Sequence, residues 1–141
     1  MTASTDTQQA AAEPVLGGVV AYLQVDGAAK AAEFYQRAFG AKIAGMHPPD
    51  EQGRTMHIHL HVNGSSLMLS DPYPEHGYPL EKPQGFSLML MVPDIDARFA
   101  HAVAEGATAV MSPADMFWGD RYGQLRDPFG VTWAMNSPIT R

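Results

Sequence analysis

The chain has 141 residues, 45% of them apolar and 17% charged, which fits one globular domain with a real core. It has no cysteine, so disulfides, thiolate zinc sites and cysteine nucleophiles are excluded. The net charge is −6 with Lys and Arg scattered, and no apolar run reaches a membrane span, so the expected partner is a small molecule, with no nucleic acid, no membrane and a cytoplasmic setting.

Residues 1–16 begin with a stretch of Ala, Thr, Ser and Gln, expected to be a disordered tail. Gly17 to Val25 reads as a strand, and Asp26 suits an N-cap for a helix running to Phe39 and stopped by Gly40. Ala41 to His47 reads as a second strand. Thr55 to Val62 alternates as a third, and Asn63-Gly64 is a hairpin signal leading into Ser65 to Ser70. A loop rich in Pro, Gly and Tyr follows from Asp71 to Gln84. It suits a lid, a dimer contact or a plain connection.

The pattern then restarts. Phe86 to Val92 is a strand, Asp94 a cap for a helix from Ile95 to Glu105, and Gly106 its stop. Thr108 to Met111 reads as a short strand and Tyr122 to Arg126 as another. Asp127 to Gly130 is a turn before a last strand, Val131 to Asn136. Val25 and Val92 are 67 residues apart, and Gly40 and Gly106, like Gly64 and Gly130, are 66 apart. Ordered landmarks at one offset indicate two tandem β-α-β-β-β units, about 17–71 and 85–137, in an α+β domain.

In such a unit the helix covers one sheet face and leaves the other for function. Alternation assigns Val19, Ala21, Leu23, Val25, Met56, Ile58, Leu60, Val62, Leu67 and Leu69 to the core. It leaves Val20, Tyr22, Gln24, His57, His59, His61, Ser66, Met68 and Ser70 on the free face. The second unit leaves Ser87, Met89, Met91, Thr132, Ala134 and Asn136 there, with Trp133 in the core.

The strings VDGAAKAAEFYQRAFGA, GRTMHIHLHVNGSSLMLSD and FWGDRYGQLRDPFGVTWAM resemble the vicinal oxygen chelate (glyoxalase/bleomycin-resistance/dioxygenase) superfamily, closest to its PhnB-like branch. The resemblance implies two units joined in an eight-stranded, cup-shaped sheet, commonly in a homodimer. It also implies a divalent metal held by His, Glu or Gln in the enzymes of the family. The corresponding positions here are Val20, Met68, Ser87 and Ala134, which offer at best one weak hydroxyl. Neither a metal at those positions nor a cofactor is therefore expected.

His57, His59 and His61 keep one route to a metal open, since alternate residues on a strand sit about 7 Å apart on one face. A polar strand face, ligand contact or a general base are the other readings. Trp118, Asp120, Arg121 and Tyr122 suit a flat or anionic ligand. They equally suit an ordinary loop in which Arg121 pairs with Asp120 or Asp127. The expected ligand-binding residues are Tyr22, Gln24, His57, His59, Ser70, Ser87, Met89, Trp118, Arg121 and Tyr122. The leading expectation is a metal-free binding protein of the bleomycin-resistance type. The alternative is a lyase, isomerase or dioxygenase with its metal displaced onto the third strand.

Overall fold

A computed structural model describes residues 13–139. The described residues divide into two compact units, 13–36 with 40–80 and 37–39 with 81–139. Each unit is built on one four-stranded mixed sheet. The chain order is β1 (Ala21–Gln24), α1 (Ala28–Phe39), β2 (Lys42–Met46), β3 (Ile58–Val62), β4 (Ser65–Ser70), β5 (Leu88–Met91), α2 (Ile95–Glu105), β6 (Thr108–Asp115), β7 (Asp120–Arg126) and β8 (Thr132–Pro138). The fold is thus α+β, with the β-α-β-β-β unit repeated.

The repeat is visible in strand register as well as element order. The first sheet runs β1-β4-β3-β2 and the second β5-β8-β7-β6. In each, the first strand pairs parallel with the last and the other pairings are antiparallel. Tyr22 lies opposite Met68 in one unit and Met89 opposite Ala134 in the other, so equivalent positions are 67 and 66 apart.

Local chemistry explains the elements. Gly40 closes α1 in the left-handed region, at φ 71°, with its N–H and that of Ala41 donating to Gln36 and Tyr35. The β3–β4 hairpin turns through Asn63 and Gly64, both at positive φ as a two-residue turn requires. Ala28, Ala31, Ala32, Tyr35 and Ala38 of α1 are buried at helical spacing, and Ile58, Leu60, Val62, Leu67 and Leu69 are buried in the first sheet. In the second unit α2 lies against β6, β7 and β8. Gly123 of β7 permits this approach, because a Cβ there would sit 3.1 Å from both the Phe99 ring and the Met111 carbonyl.

Several expectations are corrected. Val19 is exposed rather than core, because Gly17 bends the chain at φ 97° and the sheet pairing of β1 starts only at Ala21. Met56 is also exposed. Thr55 is drawn inward by its N–H bond to Asp71 Oδ2 and its Oγ1 bond to the His47 carbonyl, so alternation begins at β3. Asp26 does not cap α1: Gly27 holds that position, and Asp71 Oδ1 accepts the N–H groups of Gly27 and Ala28 at 2.8 and 3.0 Å. Asp94 occupies the N-cap of α2 but makes no capping bond, pairing instead with Arg98. The strand expected over Thr108–Met111 runs on to Asp115, since β6 is an edge strand with register shifts and tolerates Pro113.

Of the expected tail, residues 1–12 lie outside the described residues. Leu16 exchanges bonds with Ser66, and the Pro14 carbonyl lies 2.8 Å from His61 Nε2. The loop after β4 carries a 3-10 turn, Pro74–His76, and is tied down by Arg54. That guanidinium grips Glu75 through two bonds, reaches Asp50, and lies 4.4 Å over the Tyr73 ring.

Candidate functional site

In the first unit β1, the residue before β3, and β4 bring Tyr22, His57 and Ser70 together. Tyr22 Oη lies 2.9 Å from His57 Nδ1 and 3.2 Å from the Met56 carbonyl. A phenol has one proton, so both bonds coexist only when His57 Nδ1–H donates to Tyr22 and Tyr22 donates to Met56. Burial raises the Tyr22 phenol, against a bond from Ser70 that lowers it. Burial also lowers the His57 imidazole, with His47 adding a smaller push in the same direction. At neutral pH both groups are therefore uncharged hydrogen-bonding surfaces.

His59 is buried, and its Nε2 lies 2.7 Å from Ser66 Oγ, which also accepts the Leu16 N–H. Its basicity is lowered by burial first, then by His61 and His57, while Glu13 opposes them. His61 stands edge-on to His59 and turns Nε2 to Pro14. Gln24 donates to the Tyr78 carbonyl at 3.5 Å. His57 and His59 thus belong to different hydrogen-bond sets, although only Ile58 separates them in the chain.

In the second unit the face opposite α2 forms an open concavity of about 590 Å³. Ser87, Met89 and Met91 enter from β5 and its approach, Trp118 and Tyr122 from the β6–β7 turn and β7, with Asp120 and Asn136. Met89, Met91 and Trp118 are each about half exposed, at 53%, 56% and 50%. Trp118 and Tyr122 meet edge-to-face with centroids 5.9 Å apart. Tyr122 Oη accepts a bond from Gln124, which leaves its own proton to donate.

Of the expected residues, Ser87, Met89, Trp118 and Tyr122 share this concavity. Arg121 does not. Strand alternation turns it to the opposite face, where it bonds Asp96 and Asp115, neither of which is the partner foreseen. Those two carboxylates hold its guanidinium firmly protonated. Trp133 is core as expected, its Nε1–H donating to Asp127 Oδ2 at 2.9 Å.

The metal positions implied by the resemblance do not fit a metal. Register places Met68 opposite Tyr22 and Ala134 opposite Met89, so the correspondence holds in both units. Valine, methionine, serine and alanine lack the imidazole, carboxylate or amide donors that a divalent ion of this class takes. Among the described residues no group of three or more His, Asp or Glu is placed to hold an ion. No described helix is long and apolar enough to cross a membrane.

Comparison with known proteins agrees with the architecture. Residues 16–135 match the family model of the Glyoxalase/Bleomycin resistance protein/Dioxygenase superfamily. "Uncharacterized protein Rv0887c" of Mycobacterium tuberculosis is 39% identical over 141 aligned positions, covering 95% of this chain and 80% of that protein. The crystal structure of protein PA1353 from Pseudomonas aeruginosa is 32% identical with a TM-score of 0.71, covering 85% and 96% of the two chains. A Bacillus cereus structure described as a putative 3-demethylubiquinone-9 3-methyltransferase, PhnB protein, shares the fold at 24% identity and a TM-score of 0.67, covering 86% and 99%. With its repeated unit and this match over most of its length, the chain belongs to the Glyoxalase/Bleomycin resistance protein/Dioxygenase superfamily.

Proposed function

We propose that this protein binds a small organic molecule on the free face of its second sheet, using side chains alone and no metal. The observation that carries the proposal is the concavity of about 590 Å³, in which Met89, Met91 and Trp118 stay half exposed. Adjacent thioethers and an indole make an adaptable apolar floor, and a few polar groups at its edge supply direction. The first unit's Tyr22, Gln24, His57, His59 and Ser70 are the second, more polar set for ligand contact. A homodimer belongs to the same proposal, and light scattering on the purified chain decides it.

A metal-dependent lyase, isomerase or dioxygenase working from the third-strand histidines has less support. His57 Nδ1 is engaged by Tyr22, His59 Nε2 by Ser66 and His61 Nε2 by Pro14. Screening of protein labelled with ¹³C in the methionine methyls tests the proposal. Soluble aromatic fragments are expected to shift the Met89 and Met91 methyl signals and leave the buried Met135 unmoved. Shifts confined to other methionines, or no shifts at all, would overturn it.

A further inference from the structure

We infer that the ligand of the second unit is an organic cation that also carries a hydrogen-bonding group, an inference that rests on the binding face proposed above. The charge on that face is one-sided. Among the described residues, Asp120 is the single ionisable carboxylate lining the concavity, and no Lys, Arg or His lines it. Its side chain makes no ion pair or hydrogen bond among the described residues, in contrast to Asp94, Asp96 and Asp115, which are all paired with arginines. Arg121, the adjacent cation, is held on the other face of the sheet by Asp96 and Asp115. A guanidinium turned away and a carboxylate left unpaired reverse the sign of ligand that the sequence suggested.

The walls beside Asp120 suit that sign. Trp118 and Tyr122 flank it, and aromatic faces attract an ammonium through their quadrupoles. Methionine sulfurs are soft and polarisable, and Met89 and Met91 offer them to the body of the ligand.

A second observation points to a ligand independently of charge. Asn136 is only 5% exposed and lines the same concavity, yet its side-chain amide has no hydrogen-bond partner among the described residues. An amide in that position offers two donors and an acceptor, and buried polar groups left unpaired are costly. A hydroxyl or carbonyl on the bound molecule satisfies it. The chemical class is therefore an ammonium group set between Trp118, Asp120 and Tyr122, on a body short enough to carry a polar group to Asn136.

The test uses three probes with one shared body: tyramine (cationic), tyrosol (neutral) and 4-hydroxyphenylacetate (anionic). Each is titrated against the ¹³C-methyl-methionine protein, with the Met89 signal as readout. Tyramine is expected to bind about tenfold more tightly than tyrosol, the anion more weakly than either, with the preference shrinking as salt rises. Asp120→Asn, a near-isosteric substitution at a half-buried position whose folding is checked by circular dichroism, is expected to erase the preference for tyramine over tyrosol. If tyrosol and tyramine bind equally, or Asp120→Asn keeps the preference, the cationic class is wrong while the binding face stands. If none of the three moves Met89, both fall.

Discussion

Asp71 Oδ1 accepts the backbone N–H of Ala28 at 3.0 Å, so a residue at the end of β4 caps a helix that begins 43 residues earlier. Its other oxygen takes the Thr55 N–H at 2.8 Å, and the carboxylate is buried. One side chain thus joins the start of α1 and the segment leading into β3 to the end of β4. Asp71→Ala leaves these buried amides unpaired and is expected to cost about 2–3 kcal/mol. Asp26→Ala, at the exposed residue that the sequence offers as the cap, should cost next to nothing. Chemical denaturation of the two variants separates them.

Stability should fall on mild acidification. Burial first, and neighbouring imidazoles second, hold His57 and His59 below the ordinary value of 6.5 in the folded chain. The unfolded chain therefore takes up these protons more readily. The associated stability is fully present above pH 6.5 and is lost as pH falls from there through the lower folded values. Glu75, lowered from 4.5 to about 2 chiefly by its bond from Arg54, loses its contribution only below that window. Thermal midpoints measured between about pH 7 and about pH 5 should decline, and His59→Gln should flatten the decline.

Gly123→Ala places a methyl 3.1 Å from the Phe99 ring and the Met111 carbonyl and 3.2 Å from Pro113 N. The ring can give a little, but the backbone atoms of β6 cannot. A loss of about 1–3 kcal/mol is expected. A denaturation midpoint equal to wild type would show that α2 does not pack as described.

Because Arg121 faces Asp96 and Asp115, Arg121→Gln should leave ligand affinity at the Met89 face unaltered. Trp118→Ala should weaken it. The opposite pattern would place the ligand on the other side of the sheet.

The repeated unit, its helices and most of its strands are legible in the sequence, because periodicity and glycine stops are local signals. Alternation also put Ser87, Met89 and Asn136 on the correct face without any tertiary information. What escaped depends on partners distant in the chain. Nothing local marks Asp71 as the cap of α1, or links Arg54 to Glu75 across 21 residues. Arg121 stands apart from Trp118 and Tyr122 because neighbours on β7 point to opposite faces, which proximity in sequence conceals. Val19 and Met56 are exposed because they lie before the strands begin, where alternation no longer sets the face.

Metal uptake tests the central claim most directly. The purified protein is incubated in turn with nickel, zinc, iron(II) and manganese, desalted, and its bound metal determined. Val20, Met68, Ser87 and Ala134 lack the donors to hold an ion, so substoichiometric metal is predicted in each case, unchanged in His57→Ala/His59→Ala. Near-stoichiometric metal that vanishes in that double variant would contradict a side-chain-only binding protein and restore the third-strand histidines as a metal centre.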